Sequence, residues 1–297
     1  MNIQDKFRQI FGVDAAPALD SVAIDEIQQQ ADVRSKLFNI ESMDREIDQW
    51  TKVSSFGQME QVGEGELAPQ DNATQLGLKT YTAYKYAKAC GISDEMIEDQ
   101  RYDLINKLVR SLGRSAFDTQ QALAFNIFNN AFGTETAFDG ISIISASHPA
   151  ASGLQSNSIG TPADISLAGL KEGERYFRNL ADERGKKLML APKVVLTSES
   201  FRHDAMELIN TPFKPGSANN DINSLGMYEI IASPYLTDDD AWFMLTDPLN
   251  HGLRIKNRKS LSTKIHEDVL AGVLYYKAEF RQALGCDEWR GVWGSSG

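Results

Sequence analysis

Between residues 94 and 132, apolar side chains recur at helical spacing, with Ile97, Leu104, Ile105, Leu108, Leu112, Ala116, Leu123 and Ile127 marking the pattern. Ser93 stands in an N-cap position and Gly133 in a stop position, so the pattern predicts one long helix, bent at Gly113. At 1.5 Å per residue it would run on the order of 55–60 Å. Phe117, Phe125, Phe128 and Phe132 are spread around it, so it needs partners on more than one face. Ahead of it the period changes to two. Leu76, Leu78, Thr80, Thr82, Tyr84 and Tyr86 alternate with Gly77, Lys79, Tyr81, Ala83, Lys85 and Ala87, as a strand requires. Residues 53–62 read as extended and polar, and Gly63-Glu64-Gly65 and Pro69-Gln70-Asp71-Asn72 are dense in turn formers. Together they predict two strands around a long polar tip, a hairpin that is marginal alone and is expected to project.

Residues 1–50 read as an arm. Ile3, Phe7, Ile10 and Phe11 form the stripe of a short amphipathic helix, stopped by Gly12. Residues 15–18 read as loop and 21–30 as a second helical stretch, while residues 33–50 show no sustained period. So few apolar residues cannot bury a core of their own, and the arm must lie on something else. Beyond Asp139-Gly140 a Ser/Gly/Asn-rich region runs to Pro162. A helix is expected at 166–182, a strand at 188–197, a helix at 198–210 and a Pro/Gly/Asn-rich loop at 212–223. Strands at 228–232 and 242–246 bracket the turn Thr237-Asp238-Asp239-Asp240, and residues 253–281 read as extended. The fold class is α+β, without internal repeats.

Composition changes this picture little. The chain has 297 residues, with 30 Lys+Arg against 41 Asp+Glu and a net charge of −11. That balance argues against a nonspecific nucleic-acid clamp, which needs a basic face. Apolar runs fall far short of the ~20 residues of a membrane span, and residues 1–6 do not open a secretory signal. Two cysteines, Cys90 and Cys286, fit a reducing compartment.

The candidate chemistry is thin. Gly63-Glu64-Gly65-Glu66-Leu67-Ala68 matches a permissive dinucleotide pattern, but Pro69 to Asn72 cannot open the helix that would hold a pyrophosphate, and Glu64 and Glu66 would repel it. His148, His203, His251 and His266 lack metal-ligand spacing and read as surface or capping residues. Cys90 reads as a small buried residue beside Gly91. Asp238, Asp239 and Asp240 match no calcium loop and read as a solvated turn. No Gly-x-Ser-x-Gly elbow is present. Arg254, Lys256, Arg258 and Lys259 form a basic run on an expected strand, suited to a neighbour's carboxylates more than to nucleic acid. No catalytic, metal or cofactor site is expected. The parts that remain are an arm, a hairpin, a long helix and a mixed body, and they make sense together if other copies complete them.

Leu76-Gly77-Leu78 running into Ser93-Asp94-Glu95, Ala122-Leu123-Ala124-Phe125-Asn126, and Phe138-Asp139-Gly140 running to Ser147-His148-Pro149 follow one another in a recognisable order. Leu190-Ala191-Pro192-Lys193-Val194-Val195-Leu196 then precedes Ala205-Met206-Glu207-Leu208, and Ile230-Ile231-Ala232-Ser233-Pro234-Tyr235-Leu236 precedes Ala241-Trp242-Phe243. From about residue 50 to the end, this order resembles the major capsid proteins of tailed phages with the Hong Kong 97-like fold, most narrowly the Mu-like major head subunits. The resemblance implies an arm at 1–50 and an extended loop at 51–92 lying over an adjacent subunit. It implies a peripheral domain with a spine helix at 93–160 and 250–284, and an axial domain at 161–249 and 285–297. It further implies pentamers and hexamers closing an icosahedral shell around double-stranded DNA without sequence-specific binding. Scaffolding, portal and decoration proteins are its possible partners, and no membrane is involved. The shell would be assembled in the bacterial cytoplasm, and the chain would end as a virion component. Some relatives join subunits by Lys–Asn isopeptide bonds; Lys52, Lys79 and Asn157 are present, but no motif fixes such a pair. An arm this short leaves no room for a long removable segment, so no cleavage is expected. Glu64 and Glu66 are expected to meet Arg254 and Lys256 of a neighbouring copy. An encapsulin-type compartment, or a soluble hydrolase with a scattered site, are the alternatives.

Overall fold

The computed structural model describes all residues except 1–2, 12–13, 151–152, 214–220 and 226. The expected Gly12 stop and most of the 212–223 loop lie outside the described residues, as do the side chains of Ile3, Ile10 and Phe11.

The expected long helix is two. Ser93 does cap a helix, its hydroxyl accepting from the Met96 amide, but that helix is the single turn α4, Asp94–Glu98. Gln100 then takes φ +54°. The Arg101 amide donates to the Met96 carbonyl and the Gln100 amide to that of Ile97. This is a Schellman closure, built without the glycine that would have announced it. The main helix α5 runs Tyr102–Asn129, about 42 Å. Gly113 lies within this one continuous helix. A Cβ there would stand 3.0 Å from the Ala23 carbonyl oxygen, so the glycine admits a second helix.

That second helix belongs to the arm. Helices α1 (Ile3–Phe11) and α2 (Ala15–Gln28) bury Phe7, Leu19 and Ala23 among Ile97, Ile105, Val109, Leu112, Leu274 and Tyr276. The arm's support is therefore its own chain. Pro17, read as loop, sits in the first turn of α2, where no intrahelical donor is needed.

Two four-stranded sheets flank α5. The first has the order β1 (Asn39–Ser42), β10 (Leu253–Asp268), β11 (Val273–Cys286), β4 (Tyr84–Ser93). Its long β10–β11 hairpin turns at Gly272, φ +63°. The second has the order β12 (Val292–Ser295), β9 (Trp242–Leu245), β7 (Val194–Ser198), β8 (Glu229–Ser233). There β7 and β8 pair in parallel, connected through helix α7 (Arg202–Asn210), and β9 runs antiparallel to β7. Helix α6 (Leu167–Asn179), capped by Ser166, lays Leu170 and Phe177 on this sheet with Trp242 and Trp293. A Cβ on Gly169 would stand 2.9 Å from the Trp242 ring, so α6 can approach only through glycine. The carboxyl half of α5 joins the sheets: Phe125 and Phe128 pack with Phe38, Leu196, Phe243, Leu253 and Ile255. Helix α3 (Arg34–Leu37) and the small hairpin β5–β6 (His148–Ala150, Gly153–Gln155) complete the body.

Two of the four histidines are buried, against expectation. His148 is fully enclosed, with Nδ1 2.7 Å from Asp139 and its ring stacked on Trp289 at 4.0 Å. His251 Nδ1 accepts from the Leu253 amide at 3.2 Å, which requires a neutral ring, and burial pushes its pKa down to about 4. The unfolded imidazole titrates near 6.5. Stability from His251 is therefore complete above pH 6.5 and is lost as pH falls through 4, about 3 kcal/mol in all. His251→Asn keeps a side-chain acceptor for the Leu253 amide and does not titrate there. Urea unfolding of both chains between pH 7 and 4 should show the wild type losing that increment and the variant lacking it.

Candidate inter-subunit surface

The alternating run at 76–87 serves two sheets. Strand β3 (Gln75–Thr82) pairs antiparallel with β2 (Ile47–Val53), from Ile47 opposite Thr82 to Val53 opposite Gln75. At Ala83, buried and donating its amide to the Glu46 carbonyl, the chain leaves that hairpin and enters the first sheet as β4. The first hairpin strand thus starts inside the expected arm, and residues 54–74 carry no regular pairing.

The hairpin base is anchored by charge. Lys52 Nζ lies 2.6 Å from Glu288 and 3.4 Å from Glu183, and Arg290 holds the same two carboxylates at 3.0 and 3.1 Å. Lys79 donates to the Thr136 carbonyl, and Ser55 donates to Asp182. Next to this base Arg184 meets Asp71 at 2.6 Å, and Asp71 also accepts from the Gly57 amide at 2.9 Å. The Gly57 amide, then Arg184, hold the Asp71 carboxyl below the usual carboxylate range.

Beyond the anchor the chain leaves the body. Every residue from 56 to 76 is exposed. Met59 and Leu67 are almost completely open to solvent, and Phe56 is 61 % exposed. Glu64 and Glu66 lie at the tip, where Gly65 takes φ +83° and Glu66 accepts from the Gly63 amide at 3.0 Å. Among the expected parts, this loop is the one whose side chains find no burial in the chain.

Arg254 and Lys256 are not brought to Glu64 and Glu66. They alternate with Ile255 along β10, beside its in-sheet neighbour β1. Arg254 pairs with Asp287, which is fully buried, and with Glu41. Lys256 pairs with Asp48 and lies over the Tyr81 ring, 4.6 Å from its centroid. These are intramolecular ties. The sequence concealed them because Glu41 and Asp48 are more than two hundred positions away. Lys259 does face outward with Lys277, Lys264 and Lys85, all gathered on Glu279. Hydrogen bonds from Lys259 and Lys277 hold that carboxyl far below its ordinary pKa.

The remaining candidates are structural. Asn157 is fully buried and gives both amide protons to the Ile143 and Val292 carbonyls, while its oxygen accepts from the Ser145 amide. Cys90 is half-buried, and burial raises its thiol pKa. Among the described residues no group of three His, Cys, Asp or Glu side chains converges as metal ligands would, and no helix is long and apolar enough to cross a membrane.

Solved structures that share this α+β fold are capsid chains. The capsid of cyanophage P-SCSP1u matches with 10 % identity over 90 % of this chain and 88 % of that one, at a TM-score of 0.58. A virus-like particle from Pyrococcus furiosus matches with 8 % identity over 94 % and 98 %, at 0.56. The procapsid of bacteriophage JBD30 matches with 13 % identity over 95 % and 76 %, at 0.51. Such identities speak to the fold alone, which fits the Hong Kong 97-like class. No curated protein has a significantly similar sequence. Residues 77–294 match the family described as phage capsid protein, so the chain belongs to that family: a major capsid protein of a tailed phage, structural and non-enzymatic, and a component of the virion.

Proposed function

We propose that the chain is a Mu-like head subunit whose pentamers and hexamers close an icosahedral shell around double-stranded DNA, assembled in the bacterial cytoplasm with portal and, where used, scaffolding and decoration proteins. In this reading residues 1–50 are the arm and 51–92 the extended loop. Residues 93–160 and 250–284 are the peripheral domain, and 161–249 and 285–297 the axial domain. The observation that carries the reading is the exposed run 56–76, which extends from a body whose arm and long helix are already packed. Many weak loop contacts in a closed shell act together.

Glu64 and Glu66 are the tip's ionic anchors on a neighbour. Arg254 and Lys256 each answer carboxylates of their own chain, whereas Lys259, Lys264 and Lys277 share the single carboxylate of Glu279, and that surplus of positive charge is what receives the tip. Glu64→Lys with Glu66→Lys should leave the melting temperature of the unassembled chain unchanged. The same pair should reduce closed particles in negative-stain images at least several-fold. Normal particle yield from that double variant would remove the tip contact from the reading. An encapsulin-type compartment, the second reading, is favoured by the coverage shared with the virus-like particle. Nuclease-protected DNA inside purified particles supports the first, and packaged protein supports the second.

A further inference from the structure

The net charge of −11 conceals one stretch of the opposite sign. Between residues 104 and 117 helix α5 contains Lys107, Arg110 and Arg114 and no acidic residue. The helix buries Ile105, Val109, Leu112, Gly113 and Phe117 on one side. At 100° per residue Lys107, Arg110 and Arg114 fall within about 60° of one another, Lys107 and Arg114 away from the buried side and Arg110 on its flank, and all three are exposed. Most basic residues of the body are spent in ion pairs, as Arg254, Lys256 and Arg290 are. None of these three forms an ion pair with a described residue. Acids bound the stripe only at its ends: Asp103 in the first turn, and Asp118, which accepts from the Tyr235 hydroxyl at 2.9 Å.

Neutral donors adjoin the cations. A groove of about 310 Å³ separates α5 from the edge strand β4, and Lys88, Ser115 and Thr119 are among its lining residues. Lys88 donates to the Ser115 hydroxyl at 3.3 Å across it. A second groove, about 430 Å³, is lined by Ser111, Arg114 and Ser115 and, at its far end, by Asp118 with Tyr235. Long cationic side chains one helical turn apart, interleaved with hydroxyls, are the donor set that meets phosphate oxygens. Lys107 to Arg114 spans about 10 Å of helix, a length over which a duplex presents about six phosphate charges. A docked protein segment would need apolar anchors, and Leu104, 39 % exposed at the stripe's edge, is the large apolar residue available there.

We infer that the outward face of α5, centred on Lys107, Arg110 and Arg114, is the surface on which this chain meets the phosphate backbone of double-stranded DNA, and that this face is turned toward the shell interior. The inference rests on the DNA-enclosing reading above and names the surface that reading lacks. Binding there is weak by construction. With a Debye length of ~10 Å at 0.1 M salt only the charges close to the stripe act on the duplex, and three cations flanked by Asp103 and Asp118 touch it without trapping it.

The test uses the full-length unassembled chain and a short fluorescein-labelled duplex, with anisotropy followed across a salt series. The wild type should bind, with affinity falling steeply as salt rises. K107Q/R110Q/R114Q should lose at least about tenfold in affinity, and its log–log salt slope should fall by about 2–3, one per lost phosphate contact. K259Q/K264Q/K277Q, which removes the same charge from the sheet face, should bind like the wild type. The inference is overturned if the wild type does not bind, if both triple variants lose equally, or if poly-glutamate of equal charge displaces a labelled acidic peptide more readily than DNA does. Particle formation by each variant is scored separately by negative stain. Absence of shells from the wild type would bring down the capsid reading, whereas normal shells with an inert α5 face would bring down this inference alone.

Discussion

A chain lacking residues 58–70, with two glycines closing the gap, is expected to melt within a few degrees of the intact protein and to form no closed particles. The first half follows from burial. Every deleted residue is exposed, so the deletion removes no apolar area from the core. The ends are already adjacent, because the Gly57 amide bonds to the Asp71 carboxylate at 2.9 Å and Arg184 clamps the same carboxylate. Shortening the loop by roughly half changes its closure entropy by only about 0.6 kcal/mol. The second half follows from what the loop is for. The arm, α5 and both sheets find their apolar partners within the chain, and the loop is left presenting Phe56, Met59 and Leu67 to solvent. Sedimentation velocity and negative-stain imaging read assembly, and a thermal melt reads the fold. Intact shells from the shortened chain would mean that contacts elsewhere on the body close the shell.

Arg254→Ala should cost about 3–5 kcal/mol of monomer stability, the scale for removing one partner from a buried ion pair. Asp287 is fully buried, and Arg254 is the cation that compensates it while also tying in Glu41 from β1. Burial already raises the Asp287 carboxyl to about 6 against the pull of Arg254. Without the guanidinium it must rise further, since desolvation then acts unopposed. The sign is fixed by linkage. An acid whose folded pKa lies above its unfolded value contributes stability that is complete below the unfolded pKa, near 4, and lost as pH rises through the folded one. The deficit of Arg254→Ala should therefore be smallest near pH 4 and grow toward pH 7. Arg254→Ala with Asp287→Asn should recover part of it, and a double-mutant cycle in urea isolates the coupling. An inter-subunit role alone would predict a variant monomer as stable as wild type. Equal urea midpoints at pH 7 would restore that role.

How far the sequence could be read depended on the range of the interactions involved. Ser166 and Ser93 were legible as caps because a cap is settled within a few residues. The strands β7, β8 and β9 showed as short apolar runs, and β7 and β9 bury both faces while the edge strand β8 is only partly covered. The break after α4 was not legible, since Gln100 adopts positive φ without being glycine and the apolar period continues across it. The switch at Ala83 was equally hidden: alternation reports which face a side chain takes, not which sheet its strand has joined. His148 gave no sign of its burial, because Trp289, which stacks on its ring, comes from the far end of the chain, although Asp139 is only nine positions away.

The order of local patterns along the chain was enough to establish the class of fold, a long amphipathic helix between β-rich halves with a polar loop ahead of it, and to exclude the motif-borne chemistries. Those properties follow from backbone geometry and side-chain periodicity, both written in neighbouring residues. Which charges are free to act between subunits was settled only by folding. Arg254 and Lys256 look as available in the sequence as Lys107, Arg110 and Arg114. Strand pairing brings Glu41, Asp48 and Asp287 to the first two, whereas the other three form no ion pair with a described residue, Asp103 and Asp118 standing only at the ends of their stripe. Ion pairing acts over a few ångströms, and distance in the sequence does not report it.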